Sequence, residues 1–174
     1  MKTEFRSLVD QHRDRIYTFA YYNLGNREEA EDVTQEVLIR LWKNLEGIHM
    51  KTLPAWLTRV TKNACIDTVR RRRAYESRVV ANGEHDHVAL APAGNPTPEA
   101  TAHAGELREQ IQRALSTLKE PYRSIVILRE VQDQKYEQIC EAMDLPLNTV
   151  KSYLHRGRRM LREKLRGMVD HDSF

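Results

Sequence analysis

The sequence predicts an all-α protein: two small helical domains joined by a flexible linker, the second containing a helix-turn-helix. Three observations carry this expectation. Apolar residues recur at helical spacing along almost the whole chain, and no stretch alternates as a half-buried strand would. One central segment, residues 81–105, breaks the pattern with three prolines, three glycines and no aromatic or basic residue. The stretch "YEQICEAMDLPLNTVKSYLHRGRRML" then joins a short apolar-faced segment to a longer basic one through a tight, Pro-containing turn. A chain of 174 residues divided this way gives each half only a small core, which suits packed helices better than a sheet.

Phe5, Leu8, Val9, Ile16, Phe19 and Ala20 mark a first helix, closed by Gly25 at a C′ position. Asn26 is placed to cap the second, with Glu29 in capping-box register. That helix should bury Ala30, Val33, Val37, Leu41 and Leu45, with Leu38 and Trp42 widening the stripe. After the loop "EGIHMKTLP", Pro54 suits the first turn of a third helix carrying Trp56, Leu57, Val60, Ala64 and Val69. The segment 81–105 cannot bury enough apolar surface to hold one shape and reads as a tether. Beyond it, Leu107, Ile111, Leu115 and Leu118 form the stripe of a fourth helix, and Pro121 opens a fifth over "PYRSIVILREV". "KYEQICEAMDL" makes a sixth, burying Tyr136, Ile139, Cys140 and Met143; Pro146 stops it and Asn148 can cap the seventh. The expected division is therefore 1–80, 81–105 and 106–174.

Charge is balanced overall at +3 but concentrated locally. Residues 48–80 hold 8 Lys/Arg against 2 Asp/Glu, and residues 148–166 hold 7 against 1. Two such segments suggest a polyanion touched in two places. Any one of them could equally be a solvated face. Cys65 and Cys140 lie far apart without a CxxC partner and read as core filler in a reducing compartment. The charged N-terminus is no signal peptide, and the longest aliphatic run, Ile125 to Leu128, is too short to span a bilayer. A cytoplasmic protein without membrane insertion is expected.

The last helix has two faces. Val150, Leu154, Gly157, Leu161 and Leu165 step along the buried side. Ser152, His155, Arg156 and Arg159 occupy the other, flanked by Thr149 and Lys151. In a helix-turn-helix the second helix enters the major groove by its N-terminal residues. Thr149, Lys151, Ser152, His155 and Arg156 should therefore lie nearest base edges. Arg158, Arg159 and Arg162 lie farther along, where phosphates are met. A basic helix that merely faces water usually interleaves Glu at i, i+4, and here Glu163 is the only acid.

"AEDVTQEVLIRLWKNL" followed by "LPAWLTRVTKNACIDTVRRRR" closely resembles region 2 of bacterial RNA polymerase sigma factors of the extracytoplasmic-function (ECF) group. "ALSTLKEPYRSIVILREVQDQKYEQICEAMDLPLNTVKSYLHRGRRMLREKL" resembles region 4 of the same group. The motifs stand in the family's order, without the large intervening region of primary sigma factors. The resemblance implies that the second helix docks on the clamp of core RNA polymerase. Glu28, Asp32, Gln35 and Ile39 share one of its faces, with Glu36 beside them. An acidic first turn explains Glu28 through the helix dipole but leaves Ile39 unexplained. The third helix and the loop before it match the part that opens promoter DNA and captures a flipped base. His49, Met50 and Lys51 in the loop, Asn63 at a base-contacting position, and Arg59 and Lys62 along the strand's path are the implied contacts. Arg70, Arg71, Arg72 and Arg73 would sit on backbone phosphates, unless they are only a frayed basic helix end. In region 4 the readers of the upstream promoter element match Lys151, Ser152, His155 and Arg156. The chain departs from the family's frequent Gly-Thr at the start of the recognition helix, having Leu147–Asn148–Thr149. A cognate anti-sigma protein is implied as a further partner.

Catalysis is not expected. His85 and His87 flank Asp86 inside the tether, where nothing could hold ligand geometry, and neither a Gly-rich phosphate loop nor a nucleophile elbow occurs. No cofactor is implied. His12 and His171 read as surface or half-buried side chains. The competing reading is a free-standing helix-turn-helix regulator with an N-terminal interaction domain, which would bind duplex DNA as a dimer on a two-fold site.

Overall fold

Asn26 turns the chain between its first two helices, as its spacing to Glu29 predicts. Its backbone is extended and its side-chain oxygen accepts the Glu29 N–H at 3.0 Å. Just before it, Gly25 supplies the left-handed φ of 72° that ends the first helix. A computed structural model of the chain describes residues 2–81 and 99–171, and among these every regular element is helical. The first unit comprises α1 (Lys2–Leu24), α2 (Arg27–Asn44), a 3₁₀ turn (Leu45–Gly47) and α3 (Leu53–Ala81). The second comprises α4 (Glu99–Ser116), α5 (Tyr122–Val126) running into a π-helical turn (Ile127–Val131), α6 (Tyr136–Met143) and α7 (Leu147–His171).

In the first unit Ile16, Phe19 and Ala20 of α1 close on Val33, Val37 and Leu41 of α2 and on Leu53, Leu57, Ala64 and Cys65 of α3. In the second, Leu115, Leu118, Ile125, Val126, Ile127, Leu128, Ile139, Val150 and Leu154 are buried together. Burying one such aliphatic side chain stabilises by about 1.5–3 kcal/mol, so these short stripes suffice to hold each bundle. The π-helical turn follows from the Gln132 N–H bonding the Ile127 carbonyl at 3.1 Å, five residues back.

Several expectations need correction. Trp42 does not widen the buried stripe: it is 41 % exposed, with its ring edge-on to Phe5 at 4.9 Å, because α1 covers only part of α2. Leu107 is likewise exposed, one turn beyond the core. α7 starts at Leu147, so Asn148 lies inside its first turn and not at the cap; Val150 N–H bonds back to the Pro146 carbonyl at 3.0 Å. His12, read as a surface or half-buried side chain, is buried. α3 carries on through the arginines to Ala81, and α4 reaches back to Glu99, inside the stretch read as tether. His85, Asp86 and His87 lie outside the described residues, as does the side chain of His171.

The two units touch. Gln132 donates to the Arg15 carbonyl at 2.8 Å, Asn23 to Glu120 at 3.3 Å, Arg123 to the Asn23 carbonyl at 3.2 Å, and Arg59 to the Glu141 carbonyl at 2.9 Å. Gly25 lies so close to α4 that a Cβ there would fall 2.1 Å from the Gln112 amide nitrogen.

Candidate nucleic-acid and protein interfaces

The helix-turn-helix is built by α6, a three-residue turn and α7. Gln138 accepts the Lys135 N–H at 2.9 Å and so fixes the start of α6. Asp144 ends it in the left-handed region at φ 54°, a conformation its short polar side chain tolerates, and Leu145 N–H bonds the Cys140 carbonyl at 3.1 Å. Val150, Leu154 and Gly157 face inward from α7. A Cβ on Gly157 would lie 2.6 Å from Val126 Cγ2, so the glycine is what lets α7 seat against α5.

The opposite side of α7 is open. Lys151, Ser152, His155 and Arg156 are all exposed, and Thr149 is half-buried at the same end. Farther along, Arg158 pairs with Glu130, its Nε 2.7 Å from the carboxylate, and Arg159 stands 4.0 Å from Glu163. Arg162 is exposed. Among the described residues no acid pairs with the donors at the end that would enter a groove, whereas the far end carries cations already partly neutralised. Such a distribution suits base reading near the helix start and weaker phosphate contact beyond it. Lys151 also rests its ammonium 5.9 Å from the Tyr136 ring, which ties the first helix of the motif to the second.

On α3, Arg59, Asn63, Arg70 and Arg73 are exposed along one stripe and Lys62 is half-buried beside it. Arg70 lies 3.8 Å from Asp67, and Arg71 reaches Thr68 at 3.4 Å. Arg72 is different. Its guanidinium turns inward, bonds the Glu29 carboxylate through both Nε and Nη2, and donates to the Leu24 carbonyl at 3.3 Å. It is a strut between α3 and the α1–α2 corner, so the expected row of phosphate contacts is interrupted at this position. The loop before α3 exposes His49, Met50 and Lys51. Beneath it Asn44, Gly47, Ile48, Thr52 and Trp56 line a shallow cleft, with Thr52 holding the His49 carbonyl through both its N–H and its hydroxyl.

On α2, Glu28, Asp32, Gln35 and Ile39 are exposed on one face, and Glu36 is half-buried, accepting from Arg40 at 2.5 Å. Ile39 is 54 % exposed. The exposed Trp42, one turn on, extends this apolar edge and was missed by the sequence reading. An acidic rim around apolar side chains is the anatomy of a protein-binding surface. Cys65 is enclosed, and burial, with Glu120 adding to it, pushes its thiol far above the ordinary range, which makes it inert. Among the described residues no cluster of metal-ligating side chains occurs.

The chain matches the family model Sigma-70 region 2 over residues 8–75 and Sigma-70, region 4 over residues 108–161. It is 38 % identical over 158 residues to the ECF RNA polymerase sigma factor SigE of Mycolicibacterium smegmatis, covering 91 % of this chain and 60 % of that relative. It is 33 % identical over 168 residues to the ECF RNA polymerase sigma factor SigW of Bacillus subtilis, covering 94 % and 90 %. Among solved structures it is similar in fold to the sigma factor RpoE of Bartonella quintana in complex with the anti-sigma factor NepR. That match has a TM-score of 0.69 at 23 % identity, covering 94 % of this chain and 97 % of that one. It is also similar in fold to CnrH in complex with the cytosolic domain of CnrY, with a TM-score of 0.66 at 19 % identity, covering 99 % and 92 %.

Proposed function

The chain belongs to the ECF RNA polymerase sigma factors, and on that footing we propose that it directs promoter-specific initiation. It binds core RNA polymerase, recognises promoter DNA at two elements and opens the one nearer the start site. The observation that carries this reading is the two-faced α7. Its apolar side is consumed by the core, and Lys151, Ser152, His155 and Arg156 are left presented together.

In this reading the acidic face of α2, from Glu28 through Asp32 and Gln35 to Ile39, with Glu36 at its side, seats on the polymerase. Trp42 adds apolar area at its edge. The loop residues His49, Met50 and Lys51 and the α3 side chains Arg59, Lys62 and Asn63 hold the unpaired strand. Flipping a base out of the stack costs a few kcal/mol, which a cationic wall must offset. Arg70, Arg71 and Arg73 contact backbone phosphate nearby. Thr149, Lys151, Ser152, His155 and Arg156 read the upstream element, with Arg158, Arg159 and Arg162 on its phosphates.

The protein is an initiation factor without covalent chemistry of its own. It acts where the polymerase is, in the cytoplasm; no described helix is long and apolar enough to cross a membrane. An anti-sigma protein is the third partner, as the sigma factor RpoE of similar fold is held by the anti-sigma factor NepR. The test is retention on purified core polymerase by size exclusion. Wild type should co-elute and Asp32→Lys should not. A wild-type chain that elutes free of core would reject the reading.

A further inference from the structure

The backbone of α7 is fixed at the end that would meet a groove. Val150 and Leu154 are buried, and Tyr153 stands edge-on to Tyr122 of α5 with ring centroids 5.2 Å apart. What remains to be set is the placement of the exposed side chains. Ser152 is short and His155 turns about few bonds, whereas Lys151 carries a point charge on a flexible four-carbon stem. A charge so loosely held selects one base poorly unless something restrains it. Tyr136 supplies the restraint. It is the first residue of α6 and is half-buried, not enclosed in the core as its place in the apolar stripe predicts. Its ring carries two cations: the Arg129 guanidinium carbon lies 5.5 Å from the ring centroid and the Lys151 ammonium 5.9 Å. Arg129 is itself pinned, donating to the Asp133 carboxylate at 3.0 Å and to the Gln134 carbonyl at 2.9 Å, so its charge is offset on the spot. The hold on Lys151 is of another kind. A carboxylate would compete with base acceptors for the ammonium; an uncharged ring face attracts the cation and leaves its N–H donors free.

We infer that Tyr136 is a positioning residue for the upstream element: its ring holds the Lys151 ammonium at the start of α7, and the base preference that Lys151 confers depends on that ring. The inference rests on the sigma-factor reading above for the promoter, and on the helix-turn-helix alone for the contact. Restricting a flexible side chain before it binds lowers the entropy lost when it makes its contact. The benefit falls on discrimination more than on affinity. A loose ammonium still finds a phosphate, but it no longer meets one base's acceptors at a fixed place. The ring face and not the hydroxyl does the holding, so phenylalanine should serve at position 136 and leucine should not.

The test uses the full-length chain, free and bound to core polymerase, with Tyr136→Phe, Tyr136→Leu and Lys151→Met. Selection from randomised duplexes with wild type gives the preferred upstream element, and fluorescence anisotropy then measures discrimination at each of its base pairs. Lys151→Met should identify the base pair that Lys151 reads by losing discrimination there. At that pair Tyr136→Leu should lose about two- to fivefold, the worth of an exposed cation–π contact, with the other pairs unchanged and Tyr136→Phe close to wild type. In the Lys151→Met background Tyr136→Leu should add no further loss at that pair. Equal loss at every base pair marks a merely structural role and overturns the proposal. So does a Tyr136→Phe as poor as Tyr136→Leu, or a Lys151→Met without a base-specific loss. The contact is also read without DNA: the ring should shift the Lys151 side-chain methylene proton signals upfield in wild type and Tyr136→Phe, and Tyr136→Leu should return them to the ordinary position. Signals that Tyr136→Leu leaves in place overturn the proposal. A free chain that discriminates as described, yet is not retained by core polymerase, rejects the sigma-factor reading and leaves the positioning role standing.

Discussion

Arg72 of α3 grips Glu29 of α2 with two nitrogens and caps the Leu24 carbonyl of α1 with one of them, so a single side chain ties three helices together. Both partners are about three-quarters buried, with side-chain exposures of 28 % and 25 %. The carboxylate expected to close a capping box has been drawn to a partner 43 residues away. Replacing Arg72 by Ala should therefore destabilise the chain by about 1–3 kcal/mol, below the cost of breaking a fully buried pair. Arg71→Ala, on an exposed side chain, should change stability by less than about 0.5 kcal/mol while weakening DNA binding. Urea unfolding of the two variants checks this; equal losses would mean Arg72 is only another surface cation.

The close seat of α7 on α5 gives a second expectation. Gly157→Ala gains helix propensity but drives a Cβ to 2.6 Å from Val126 Cγ2 in the core. The crowding should win, at a net cost of about 1–3 kcal/mol. Combining it with Val126→Ala should cost less than the two changes summed, measured as a double-mutant cycle.

On the recognition helix, Arg156→Ala should weaken binding to the preferred upstream element by about 1–3 kcal/mol while leaving retention on core polymerase intact. Arg162→Ala should instead lower affinity across sequences and flatten its dependence on salt. Fluorescence anisotropy with matched and scrambled duplexes, at several salt concentrations, separates the two.

The fold bears on pH through His12. Burial, with Arg15 beside it, holds its imidazole below the ordinary value near 6.5. As pH falls through 6.5 the unfolded chain takes up the proton first, so this contribution to stability is complete above that value. It is lost progressively as pH drops toward the lowered folded value. The urea midpoint should decline between pH 7.5 and 5, and His12→Gln should flatten that decline.

Much of this was legible in the sequence because the chain repeats one signal. The inward face of α7 and the Asn26 cap needed only helical periodicity and capping chemistry. What was not legible has a common physical character. Four consecutive arginines span most of a helical turn at 100° per residue, so one of them must point toward the core, yet the run itself does not say which. Trp42 sits at the edge of a stripe whose width depends on how much of α2 the neighbouring helix covers. The contacts between the two units use side chains donating to main-chain carbonyls 82 to 117 positions away, and a carbonyl leaves no mark in a sequence.

The measurement that bears most directly on the central claim is initiation from a promoter template by purified core polymerase supplied with this chain. The account predicts transcripts from a defined start that core alone does not use, reduced by Arg156→Ala and abolished by Asp32→Lys. Transcription that is unchanged by adding the chain, across templates carrying its own genomic promoters, would contradict it.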